Sequence, residues 1–196
     1  MILHKALKEL DKLERAGKIL DFFRKYGISK LELDRLHDVT EGEQFGIISA
    51  DRTELSNNKN KQRRTLLAQD LNSVGYNWES VQGVWPVNTG TKTYDFENSF
   101  FVHNVDFEIF RALGVKYNQQ AFIFKPRFGT VTLYNLENGM AQVAIEYEVR
   151  TNMPVLRQQE KPEYMTRFRQ TEVSYQWSDE VPFGNEPVYP EDVVNA

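Results

Sequence analysis

The feature that most limits what this chain can become is the alternation of element types between Phe45 and Lys125. Phe45-Gly46-Ile47-Ile48-Ser49-Ala50 is an apolar run of strand length, of the kind buried inside a sheet. A polar, basic segment follows. Ser56 or Asn57 is placed to cap a helix running to about Ser73, with Leu66, Leu67, Leu71 and Val74 turned inward and Gly75 as its stop. Trp78 to Val87 alternates loosely, which predicts a strand with a bulge at Gly83 and an end at Pro86. Ser99 to Val105 predicts the next strand, Asp106 caps a helix from Phe107 to Tyr117, and Gln120 to Lys125 is strand again. Strand, helix, strand, strand, helix, strand is the split βαβ plan. The expected fold is therefore α+β, a ferredoxin-like sandwich with both helices on one face of an antiparallel sheet.

Additions flank this core. Thr130 to Asn135 and Ala141 to Arg150, joined through Glu137-Asn138-Gly139, read as a further hairpin, because Asn-Gly between alternating runs suits a tight turn. At the front, Leu3, Leu7, Leu10, Leu13, Ala16, Leu20 and Phe23 recur at helical spacing, and Ser29 with Glu32 makes a capping box for a second helix. Residues 1–40 are thus expected as an N-terminal helical hairpin. Its outline also resembles a DNA-binding helix-turn-helix, but Glu32, Asp34 and Asp38 on the second helix would face phosphates. Five of the seven prolines lie beyond Asn152, so 151–196 is expected as an extended, acidic, proline-rich arm, irregular except for a strand near Thr171 to Trp177. The expected organisation is 1–40, 45–150 and 151–196.

Composition excludes several chemistries. The chain has no cysteine, which removes disulfides, thiolate nucleophiles and cysteine-ligated metals. No apolar run approaches the roughly 20 residues that span a bilayer, and the N-terminus turns charged too soon for a signal peptide. A soluble protein without membrane contact is expected. The net charge of −4 hides an asymmetry: no Lys or Arg follows Arg169, whereas Glu172, Asp179, Glu180, Glu186, Glu191 and Asp192 do. Setting those six aside turns −4 into +2 for the body, so charge placement says more than the total.

Several short motifs occur in a fixed order: Gly46-Ile47-Ile48-Ser49-Ala50 with Arg52, then Asn60, Arg63 and Arg64, Gly75-Tyr76, Gly83-Val84-Trp85, Glu97-x-Ser99-Phe100-Phe101-Val102, and Tyr117-Asn118-Gln119-Gln120-Ala121-Phe122-Ile123-Phe124. Over residues 45–125 this pattern resembles a family of small phage and bacterial proteins defined only as a domain of unknown function. The resemblance implies a phage or prophage origin, hence a host cytoplasm or a virion as location, and implies no activity.

The strongest chemical lead is the basic segment 52–64. Cations crowded at a helix start oppose its dipole unless an anion sits there, and the backbone N–H groups of a first turn favour one. Arg52, Asn60, Arg63, Arg64, Glu97 and Gln120 are the candidate anion- or phosphate-binding residues, with Glu97 orienting an arginine. The plainer reading is a solvated basic face paired with the acidic arm. Glu97 and His103 are weaker acid–base candidates, and His103 beside Asp106 suggests a base with an orienting carboxylate. A metal-dependent nuclease would need Asp51, Glu54 and Glu97 to converge. No histidine pair has metal-ligand spacing and no phosphate-cradling glycine loop occurs, so no metal and no cofactor are expected. Tyr175, Trp177, Phe183 and Tyr189 on the arm are candidates for docking on a protein partner. No residue is assigned a catalytic role. The expected function is a non-enzymatic binding or assembly protein acting through protein–protein contacts or self-assembly. The alternatives are a nucleotide- or nucleic-acid-binding protein using residues 57–64, and a small hydrolase or nuclease.

Overall fold

Two side-chain caps fix where the helices begin in the computed structural model, which describes residues 44–86, 94–127, 129–151, 164–168 and 171–188. Ser56 accepts from the Lys59 amide and starts α1 (Asn57–Ser73). Asp106 accepts from the Glu108 and Ile109 amides and starts α2 (Phe107–Lys116). Each oxygen satisfies amide donors that the first helical turn leaves without partners. Gly75 follows α1 with φ of 82°, a left-handed conformation that a side chain would strain. Around the helices run nine strands: β1 (Phe45–Ser49), β2 (Trp78–Pro86), β3 (Tyr94–His103), β4 (Ala121–Lys125), β5 (Thr132–Asn135), β6 (Met140–Thr151), β7 (Tyr164–Phe168), β8 (Thr171–Trp177) and β9 (Val181–Pro182).

The sheet runs β5-β4-β1-β3-β2-β7-β8-β6-β9, and β5 also pairs with β6. That extra pairing closes β1 to β8 into a ring, with every joint antiparallel. A closed ring has an inside and an outside, and the two apolar clusters follow that division. Ile48, Phe100, Val102, Phe122, Phe124, Tyr134 and Val143 face out and pack beneath Leu67 and Leu71 of α1 and Phe107, Phe110 and Leu113 of α2. Phe45, Ile47, Val81, Phe101, Ile123, Ala144, Val173, Tyr175 and Trp177 face in. Alternation along each strand, the period of two, sends neighbours to opposite clusters.

The α+β class with an antiparallel sheet is as the sequence suggests. Three differences follow from packing. Residues 164–168, expected to be irregular, form a strand of the ring. The expected strand at 171–177 is present, and β7 bridges it to β2. Gly83 pairs in continuous register, without a bulge; the irregularity lies in β6 between Ala144 and Glu146. Leu66 and Val74 are about half exposed, because α1 offers the sheet a narrow stripe in which Asn60 lies with Leu67 and Leu71. The expected helical hairpin over 1–40 lies outside the described residues.

Candidate functional site

At the carboxyl end of β1 the chain enters the loop before α1, and three arginines meet there. Arg52 donates from Nε to Glu54 Oε1 at 2.7 Å and from Nη1 to the Asn118 carbonyl. Arg63 reaches from α1 to the Ala50 carbonyl at 2.6 Å and to the Tyr117 carbonyl, with its guanidinium 5.8 Å from the Tyr117 ring centre. Arg64 Nη1 contacts both Asp51 carboxylate oxygens, at 2.7 and 2.6 Å. Asn60 brackets the Arg52 backbone, accepting from its amide at 3.0 Å and donating to its carbonyl at 2.9 Å. So Arg52, Asn60, Arg63 and Arg64 converge, as the sequence suggests. Their donors, however, are turned to carbonyls and carboxylates of the chain itself. The residue completing the cluster is Gln119, whose carboxamide donates to the Asp51 and Tyr117 carbonyls, whereas Gln120 is exposed. Its signal is burial in a polar turn beside positive-φ Asn118, which a reading by strand period alone misses.

Behind the arginines, α1 and α2 are tied by Asp70, which accepts from Lys116 Nζ and the Tyr117 hydroxyl, each at 2.6 Å. Those two bonds, the lysine's first, hold the Asp70 carboxyl below its usual value. Burial, then Asp70 itself, pushes the Tyr117 hydroxyl up. Glu54 is lowered by a backbone hydrogen bond and by Arg52.

The inner face of the ring carries a second polar group at the same end of the sheet. Ser49 pairs with Ser99 across β1 and β3, and both are buried. Ser99 Oγ lies 3.2 Å from Glu97 Oε1. Glu97 is in register with Gly83 of β2, and Gly83 with Thr166 of β7, so the carboxylate and the threonine flank a residue that has no side chain. The two groups adjoin at Ser49, whose Oγ accepts from the Asp51 amide and donates to the Asn98 carbonyl, each at 2.9 Å, while Asn98 donates to Asp51. Glu97 lies on the inner face of the ring beside Ser99.

Other expected groupings come apart. His103 lies six residues along β3 from Glu97, about 20 Å at roughly 3.3 Å per residue, and its nearest carboxylate is Glu79 at 3.9 Å. Asp106 is occupied as a helix cap. Asp51 and Glu54 bind different arginines, and among the described residues no group of acidic or histidine side chains could hold a metal. Tyr175 and Trp177, expected to dock on a partner, are buried on the inner face with rings stacked 5.1 Å apart. Phe183 packs edge-on against Tyr134, and Tyr189 lies outside the described residues. No described helix is long and apolar enough to cross a membrane.

The fold and site together define an α+β protein built around a closed antiparallel ring, with the carboxylate of Glu97 on its inner face and an arginine-buttressed loop at its rim. A family model described as the S-Adenosylmethionine lyase family matches residues 46–176, from the second residue of β1 to the last but one of β8. The chain belongs to that family. Nothing among curated proteins matches it. The family is one of enzymes, which overturns the expectation of a non-enzymatic binding or virion-assembly protein acting through protein–protein contacts.

Proposed function

We propose that this chain is an S-adenosylmethionine lyase, which takes up that sulfonium compound and breaks a carbon–sulfur bond without adding water. The observation that carries the reading is the family match, which runs through all eight strands of the ring. The chemistry of the ligand supports the location. A sulfonium sulfur leaves as a neutral thioether, so the bond needs orientation more than a strong reagent. Without water, the replacing electron pair comes from the substrate. Either its own carboxylate closes on Cγ to give a lactone, or a proton leaves Cβ to give an alkene. Both routes release methylthioadenosine.

A substrate carrying a sulfonium and an ammonium suits a carboxylate set among hydroxyls. Glu97 with Ser99, Ser49 and Thr166 is such a set. The arginine cluster is itself positive and each of its guanidinium groups is already engaged by the chain, so it suits a cation less; its part is to hold the loop after β1 and, through Asp51 and Asn98, the strand that bears Glu97. We also read β1-α1-β2-β3-α2-β4, with its strand order β4-β1-β3-β2, as a ferredoxin-like unit that the later strands extend into the ring.

The test is mass spectrometry of S-adenosylmethionine incubated with the purified chain. The expected products are methylthioadenosine and a four-carbon amino-acid fragment lighter than homoserine by one water. Homoserine as the first product would make the enzyme a hydrolase. An unconsumed substrate would overturn the reading altogether.

A further inference from the structure

Among the described residues four large apolar side chains are exposed, and three of them belong to the helical layer: Leu66 and Val74 with α1 and Val115 with α2, at 54, 48 and 65%. Scattered singly, such side chains need no explanation. These are grouped. Leu66, Asp70 and Val74 follow at four-residue spacing along one ridge of α1, about 12 Å at 1.5 Å per residue. Asp70 accepts from Lys116 and Tyr117 at the end of α2, so this ridge borders the seam between the helices. Val115 precedes Lys116 on the other side of that seam. The same layer receives the chain from its N-terminal side. The Gln44 carbonyl accepts from the Asn104 amide at 2.7 Å, and its carboxamide donates to the Val105 carbonyl at 2.5 Å. Val105 packs in the cluster under the helices, and the Tyr76 hydroxyl just past α1 accepts from the Asp106 amide that opens α2. Gln44 is therefore pinned where α1 ends and α2 begins, at the Val74 end of the seam.

We propose that residues 3–25 form a helix lying along the seam of α1 and α2 of the same chain, with its leucine stripe on Leu66, Val74 and Val115. Before Gln44 stand 43 residues, outside the family match, and their sequence carries Leu3, Leu7, Leu10 and Leu13 at helical spacing. An apolar stripe of this kind is stable as a helix only when something covers it. The dimensions agree. Leu3 to Leu13 spans about 15 Å of helix at 1.5 Å per residue, against about 12 Å for the ridge from Leu66 to Val74. The 16 residues between Gly27 and Gln44 reach about 24 Å even if wholly helical, close to the length of α1 at about 26 Å. This inference is independent of the functional reading and adds a contact within the chain.

The experiment uses the full chain. A short lysine-reactive cross-linker is applied to an equal mixture of ordinary and isotope-labelled protein, and the bridges are mapped by mass spectrometry. Bridges from Lys5, Lys8 or Lys12 to Lys61 or Lys116 are expected, each within one isotope. Hydroxyl-radical footprinting then compares the wild type with Leu7→Asp/Leu10→Asp, taking Phe96, the exposed aromatic on β3, as the control. Labelling of Leu66, Val74 and Val115 is expected to rise severalfold in the variant, and that of Phe96 to stay as it is. Equal labelling of the three in both proteins overturns the inference. Bridges of mixed isotope that fade on dilution overturn it too, by giving the seam to a second copy. A rise at buried Phe110 as well marks an unfolded variant; the cross-links, taken on the wild type, then decide alone, and their absence overturns the proposal.

Discussion

Gly46 is the point at which α2 comes closest to the sheet. A Cβ placed there would lie 2.3, 2.6 and 2.7 Å from three ring carbons of Phe110. Ordinary carbon contacts are about 3.5–4.0 Å, so Gly46→Ala demands a retreat of about 1 Å or more. Phe110 cannot swing aside freely, since it is fully buried and meets Phe122 edge-on with centroids 5.7 Å apart. The helix must lift or the ring must leave its rotamer. Overpacking of this kind costs about 1–3 kcal/mol. At about 2–4 °C per kcal/mol for a chain of this length, the thermal midpoint should fall by roughly 2–12 °C. Circular dichroism melting reads it directly. Phe110→Leu supplies the internal check: it is destabilising alone, and combined with Gly46→Ala it should cost less than the sum by about 0.5 kcal/mol or more. A Gly46→Ala midpoint within one degree or so of wild type, or strict additivity in the double variant, would refute the account of this packing.

Asn60→Ala removes both hydrogen bonds that bracket Arg52 and should cost about 1–3 kcal/mol, with faster amide exchange at Arg52 read by mass spectrometry. Asp70 has a folded-state pKa below its ordinary 3.8, so the stability it contributes is present above that value and lost as pH falls through the lower folded one. Asp70→Asn should therefore melt at a midpoint that depends less on pH than the wild type below about pH 4; parallel profiles would sink this. Tyr117 is shifted the other way, so its contribution is present below its usual value of 10.0 and lost as pH rises beyond it. Tyr117→Phe should flatten the alkaline limb of the same melting profile. Glu97→Gln should lower kcat/KM for S-adenosylmethionine by roughly a hundredfold with an unchanged melting midpoint, while the same change at exposed Glu137 does nothing.

What the sequence made legible is what is decided locally. Ser56 and Asp106 announce helix starts because an oxygen acts on amides two or three residues away. Asn138-Gly139 announces a turn because Gly139 must take φ of 69°. The meeting of Arg52, Asn60, Arg63 and Arg64 could be foreseen from their spacing around a helix start. Their partners could not. The Ala50, Tyr117 and Asn118 carbonyls belong to any residue type and leave no mark on the sequence. The inward turn of Tyr175 and Trp177 was likewise hidden, since it depends on β7 pairing with β2 across more than eighty positions, as Gln82 with Arg167. A proline-rich composition then makes such a segment look like an arm.

That long-distance joint has a consequence for how the molecule breathes. β2 and β7 share three register pairs, as do β1 and β4, against nine between β2 and β3, so these are the two shortest joints of the ring. Amide protons along β7, at one of these short joints, should exchange for deuterium well before those of β3, which is paired over five positions on one side and nine on the other.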